Sequence, residues 1–220
     1  MVKTSGTPDD RSKSYIPKHI KYYTMKGKTK QTLPVTEEQF AQEHPTQYKA
    51  LNLYSYVQQK HNKKPLNKVK NVVGYNKSLN YVNDKLQTRA NYTWQDNETG
   101  AFHESIVLPN IQFKEKEMQD INNPEGKAVY QAESIAHEDI HSQQAKESLL
   151  KDEEREKHYL KLKSEYGQKK YRSLPTEQEA DQNKKEFKQS LDKSLDEPST
   201  KEKIRNILGM KKGSSSTLPQ

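Results

Sequence analysis

The chain has 220 residues, room for one or two domains, yet only 30% are hydrophobic even with its 13 tyrosines counted and 31% are charged. With a mean hydropathy of −1.26, these values exclude one dense core running through the whole length and predict a modest core framed by solvated helices and loose ends. The 38 basic residues against 30 acidic ones give a net charge of +8, a balance that permits a nucleic-acid partner only where the positive charge gathers on one face.

Residues 1–35 read as an extended basic arm. They contain Pro8, Pro17 and Pro34, several lysines and no helical apolar spacing, while Tyr15, Ile16, Ile20, Tyr22 and Tyr23 could dock the arm against a partner. The first helix signal is Thr36-Glu37-Glu38-Gln39, a capping box in which the Thr hydroxyl and the Gln side chain satisfy orphan N–H groups. Pro45 breaks that helix, and Thr46 can open a second one with Tyr48, Leu51, Tyr54 and Val57 on one face. A Lys-, Asn- and Pro-rich connector from His61 to Lys70 makes a second basic stretch, and a short helical segment is expected from Ser78 to Leu86.

Around Ala90 the pattern changes to alternation. Tyr92 and Trp94, turn residues at Asp96–Gly100, and an apolar run from Phe102 to Leu108 predict a β-hairpin over 90–109, with Trp94 as its core anchor. This is the only sheet signal read from the chain. Downstream everything reads as helix. One helix over 127–150 carries Val129, Ala132, Ala136 and Ile140 on its apolar face. A charged span runs from Lys151 to Gln168. Pro175 with Thr176-Glu177-Gln178-Glu179 suggests another capping box opening a helix over 176–195. Residues 196–220 are expected to form a short helix from Ser199 to Leu208, stopped by Gly209, and a flexible tail. The fold class expected is therefore α+β: a mainly helical domain over 36–195 with a helical part at 36–88 and a small antiparallel hairpin or sheet, flanked by the arm and the tail.

The chain has no cysteine, so disulfides, thiolate nucleophiles and Cys-based metal sites are excluded. No apolar run approaches the roughly 18–20 residues of a membrane span, and Met1–Gly6 lacks an apolar signal core. The expectation is a protein without membrane partners, not exported by a Sec signal, that is cytoplasmic or packaged in a virion. Eight glycines and no phosphate-loop or dinucleotide pattern leave nucleotide binding without support.

The chemistry-bearing signal is His137-Glu138-Asp139-Ile140-His141, an H-E-x-x-H pentad inside the 127–150 helix. Residues four apart on a helix share a face, so the two imidazoles can converge on one ion. Glu138 can hold a water beside that ion and take its proton as general base, because zinc brings the pKa of such water towards neutrality. A site of this kind needs a third protein ligand and an open fourth position. Glu177-Gln178-Glu179-Ala180-Asp181 offers it at a helix start: Glu177 as ligand, Glu179 as its rival, and Asp181 one turn on to hold a ligand His in the right tautomer. His19, His44, His61 and His103 are scattered and read as ordinary polar positions.

His137-Glu138-x-x-His141 followed by Glu177-x-x-Ala180-Asp181 resembles the gluzincin metallopeptidases, and the second motif is similar to the third-ligand helix of ImmA/IrrE-type and HtpX-type proteins. The likeness covers about residues 90–195. It implies a zinc cofactor, Zn2+, held by His137, His141 and Glu177, peptide-bond hydrolysis with Glu138 as general base, Asp181 behind a ligand His, and a protein or peptide substrate paired with an edge strand of the hairpin. The transition-state donor is open among His158, Tyr159, Tyr166 and Tyr171. Three features depart from the family pattern: Asp139 where an apolar residue is usual, Ile140 where a small one is common, and Ser-Gln-Gln after His141. An alternative expectation is a structural or assembly protein, of a phage or mobile element, that keeps the fold with little or no proteolysis and docks through its arm. A third is a DNA binder through the basic arm.

Overall fold

The computed structural model describes residues 13–26, 31–78, 91–93, 105–111, 123–147 and 174–210. The strands are β1 (Lys21–Lys26), β2 (Gln31–Val35), β3 (Asn71–Ser78), β4 (Asn91–Thr93) and β5 (Ser105–Asn110). The helices among these residues are α1 (Glu37–Glu43), α2 (Pro45–Lys60), α3 (Pro124–Glu147), α4 (Pro175–Asp196) and α5 (Pro198–Leu208). The α+β class expected from the sequence holds. The sheet is larger than one hairpin.

It has five strands in the order β2-β1-β3-β5-β4. The predicted hairpin is its β4–β5 edge, antiparallel with Tyr92 opposite Ile106. β1 runs parallel to β3 and β3 parallel to β5, with Tyr22 opposite Val72 and Val72 opposite Ile106. Parallel neighbours need a crossover, and between β1 and β3 the chain supplies β2, α1 and α2. The stretch read as an arm thus contributes two strands. Ile16, Ile20 and Tyr22 are buried, and His19 Nε2 lies 3.2 Å and 3.0 Å from the carbonyls of Leu66 and Val69. Along β1 the side chains alternate, Tyr22 and Thr24 buried and Lys21 exposed, which is the period of a half-covered strand.

Local signals explain the helix ends. The Thr36 capping box forms as expected: Thr36 Oγ1 accepts from the Gln39 N–H at 3.2 Å and Gln39 Oε1 accepts from the Thr36 N–H at 2.9 Å. At Gly209 the chain takes φ +74°, the left-handed stop expected there. The capping box expected at Thr176 does not form. Helix α4 starts one residue earlier, at Pro175, whose fixed φ suits the first helical position, and Leu174 is its N-cap.

Helix α2 departs further from expectation. Rather than one apolar face it is buried on every side from Ala50 to Gln58, because α3, α4, α5 and the sheet all pack around it. On α3 the buried stripe is Ala128, Ala132, Ile135, Asp139 and Ser142, spaced four and three residues apart as a helix-packing seam requires. Ile140, placed on the apolar face by the sequence reading, is only half-buried. Asp139 takes the core position instead. The helix expected from Ser78 to Leu86, Trp94, the charged span 151–168 and the tail 211–220 lie outside the described residues, save that Ser78 ends β3.

Candidate metal centre

Two helices build the site. α3 presents His137 and His141 one turn apart, and α4 lays its first turn against them so that Glu177 reaches both. His141 Nε2 is 3.1 Å from His137 Nε2 and 3.1 Å from Glu177 Oε1, and His137 Nε2 is 3.6 Å from Glu177 Oε2. Four bonds of about 2.0–2.2 Å pointing to the corners of a tetrahedron place their ligands about 3.3–3.6 Å apart. The two separations of 3.1 Å are shorter than that and Glu177 meets the two rings with different oxygens, so the side chains converge on one point but would spread slightly around an ion. These three side chains form a group that could hold a metal ion.

Each ring also has a partner at its other nitrogen. Asp181 Oδ1 lies 3.1 Å from His137 Nδ1, and Gln144 Oε1 lies 2.9 Å from His141 Nδ1. Both oxygens are acceptors, so an ion held at Nε2 would leave each ring a partner for its Nδ1–H, while without an ion Nε2 of His141 faces the Glu177 carboxylate. The two Nε2 atoms are 3.1 Å apart, close enough for a proton or a cation to bridge them. Burial by itself lowers the His141 pKa, but the hydrogen bond to Glu177, the charges of Glu138 and Glu177 and the contact with Gln144 outweigh it, and the net shift is upward from 6.5. The pocket attracts positive charge.

Glu177 is 5% exposed, a burial that a carboxylate tolerates only with partners. Glu138 is half-buried, close enough to act electrostatically on His141. Glu179, the rival third ligand, is engaged elsewhere, where its Oε2 accepts from Gln144 Nε2 at 2.7 Å. His158, Tyr159, Tyr166 and Tyr171, the four transition-state donors named from the sequence, lie outside the described residues.

Behind the ligands lies a polar knot. Asp139 Oδ2 accepts from the Tyr54 hydroxyl at 2.6 Å and from the Leu66 N–H at 3.0 Å, and its Oδ1 is 3.2 Å from Ser142 Oγ. Asp139 is 1% exposed; burial raises its pKa more than these hydrogen bonds lower it. The Tyr54 ring packs on Phe187 of α4 at 5.3 Å, and Asn183 Nδ2 donates to the Ala136 carbonyl at 2.5 Å. One turn of α3 is thereby tied to α2, to the 61–70 connector and to α4, which sets the rotation that points His137 and His141 at Glu177. Of the residues that depart from the gluzincin pattern, Asp139 ties α3 to Tyr54 and Leu66, and Gln144 bonds to Thr176 and Glu179 of α4. Gln144 stands three residues from His141 on the same face, a spacing that could have drawn notice. No local pattern marks Tyr54 or Asn183.

No protein-family model, curated protein or solved structure matches the chain. No helix among the described residues is long and apolar enough to cross a membrane.

Proposed function

We propose that this chain is a zinc-dependent metallopeptidase of the gluzincin type. The observation that carries the reading is the convergence of His137, His141 and Glu177 to within 3.1–3.6 Å of one another, with an acceptor on each imidazole Nδ1. Two neutral nitrogens and one carboxylate are a donor set that suits zinc, and three protein ligands leave a fourth position for water or substrate. Zinc in such a site supplies Lewis acidity, making a water nucleophilic near neutral pH and polarising a carbonyl.

The chain's own residues divide the remaining work. His137 and His141 offer Nε2, with Asp181 and Gln144 as the acceptors at Nδ1. Glu177 contributes a buried negative charge that balances the ion. Glu138 follows the first ligand directly and is a carboxylate without a role in the ligand triad; it is the general base, accepting a proton at its side-chain oxygen and returning it to the leaving amine. The antiparallel β4–β5 edge lies beside α3 and offers an extended peptide backbone partners.

The experiment is hydrolysis of a mixed peptide library by the zinc-loaded full chain and by Glu138→Gln. Activity should disappear in Glu138→Gln while one equivalent of zinc stays bound. Equal cleavage by the two proteins would remove Glu138 as the base. Zinc binding with no cleavage of any peptide would make the centre structural rather than catalytic.

A further inference from the structure

Positive charge is unevenly spread along the chain. Residues 11–36 hold seven lysines and arginines and residues 60–78 hold six, with no Asp or Glu in either stretch. These thirteen charges exceed the chain's net +8, so all the other residues together carry −5. The two stretches are distant in sequence, yet the fold lays parts of them side by side. The Lys21 N–H donates to the Lys70 carbonyl at 2.9 Å, Lys21 of β1 stands opposite Asn71 of β3, and His19 Nε2 reaches the carbonyls of Leu66 and Val69. Buried side chains pin each segment to the core: Ile16, Ile20 and Tyr22 in one, Leu66 and Val69 in the other. The Leu66 N–H is also held by Asp139.

The lysines between these anchors are left outside. Lys18, Lys21, Lys64 and Lys70 are exposed and Lys68 is half-buried. At the rim, Lys60 and Lys63 are matched by Glu197 and Glu186. No ion pair among the described residues engages Lys18, Lys21, Lys64 or Lys68. Like charges gathered in this way repel one another, and a bound polyanion would relieve that repulsion.

We propose that the end of the sheet where β1 and β3 begin binds the phosphate backbone of a nucleic acid, through Lys18, Lys21, Lys64, Lys68 and Lys70, without reading its bases. The positive charge thus gathers in one place, as a nucleic-acid partner requires. Ammonium groups meet phosphates as point charges, and this end of the sheet offers no described arginine for bidentate recognition of a base edge. A lipid surface is the poorer fit, because peripheral membrane binding draws on exposed apolar side chains. The one large hydrophobic side chain exposed among the described residues is Leu33, on β2. The surface shares no residue with the metal centre, and its test needs no zinc.

The test is fluorescence anisotropy of the full chain with two labelled DNA duplexes of unrelated sequence, each about 30 base pairs. Single-stranded RNA of the same length and vesicles of phosphatidylserine and phosphatidylcholine are run beside them. Both duplexes should bind equally. With five phosphates neutralised, log K should fall against log salt with a slope of about −4 to −5, a loss of about 10²–10³-fold between 50 and 200 mM. RNA should bind with a shallower slope, about −3 to −4. Changing all five lysines to Gln should weaken duplex binding by about 100-fold or more and remove most of the salt dependence. A control takes the same charge from exposed lysines of α4 and α5: Lys185→Gln, Lys188→Gln, Lys193→Gln, Lys201→Gln and Lys203→Gln together. It should keep the wild-type slope. If the fivefold surface variant does not fold, Lys18→Gln/Lys21→Gln and Lys64→Gln/Lys70→Gln should each cut the slope by about 2. Wild-type protein that binds no nucleic acid, or binds it independently of salt, would overturn the proposal. So would vesicle binding without duplex binding, or equal losses in the surface and control variants, since those assign the effect to a membrane or to net charge alone.

Discussion

Replacing Asp139 by leucine puts an apolar side chain at a core position of α3 and should nevertheless destabilise the protein. The carboxylate accepts from the Tyr54 hydroxyl at 2.6 Å and the Leu66 N–H at 3.0 Å, both buried. Without it, each donor is left inside without its acceptor, at about 1–3 kcal/mol apiece. Leu66 also holds φ +53°, a left-handed conformation that a leucine adopts at a cost and that the bond to Asp139 helps to fix. One effect works the other way: the variant no longer desolvates a buried carboxylate. The net loss should be about 2–4 kcal/mol. Tyr54→Phe removes one donor and leaves the carboxylate its other two, so it should cost about 1–2 kcal/mol. The double variant should lose less than the sum, because phenylalanine leaves no orphaned hydroxyl. Urea unfolding in metal-free buffer, followed by far-UV circular dichroism, measures all three. An Asp139→Leu protein as stable as wild type would refute the claim that this carboxylate anchors α3.

The same residue sets a pH dependence. Its pKa is raised above 3.8 in the folded state, so between the folded and unfolded values the native protein binds the extra proton and stability rises as pH falls. Asp139→Asn lacks that gain, and the wild-type advantage over it should widen on acidification through this window in urea titrations. At His141 the pKa is also raised, above 6.5; a proton there competes with metal, so zinc affinity should climb as pH rises through that value and then level off, as calorimetry in buffers of different ionisation heat can read. Gly74→Ala would place a Cβ 2.6 Å from Nε2 of the buried His44 ring, and since that nitrogen is 2.8 Å from Thr24 Oγ1 the ring cannot shift freely; the loss should be about 1–3 kcal/mol in the same assay. Thr36→Ala, which opens the capping box of α1, should cost about 1 kcal/mol.

Sequence and structure agree where the signal is local. The Thr36 box, the Gly209 stop and the His137–His141 pentad are each decided by residues within one or two turns, and each forms where expected. The Ile106–Leu108 run with turn residues before it marked the β4–β5 edge for the same reason. β3 escaped notice because Val72 and Val73 stand between lysine-rich and asparagine-rich neighbours, and only pairing with β1 and β5 on both sides makes a strand of them. β1 was masked by its lysines and by the flanking prolines, although its alternation was present. Thr176 misled because a proline preceded it, and the fixed φ of Pro175 took the first helical position. Asp139 was legible only as an oddity. Its meaning depends on Tyr54, 85 residues away, and no spacing rule reaches that far.

The central claim is that His137, His141 and Glu177 hold one metal ion. X-ray absorption at the zinc edge, on the full chain loaded with one equivalent and freed of excess metal, tests it most directly. A tetrahedral site with two imidazole nitrogens and light oxygen ligands at about 2.0–2.2 Å is expected, with one imidazole fewer in His137→Ala and no bound zinc in His137→Ala/His141→Ala. A folded protein that retains no zinc, or a zinc spectrum unchanged in both variants, would contradict it.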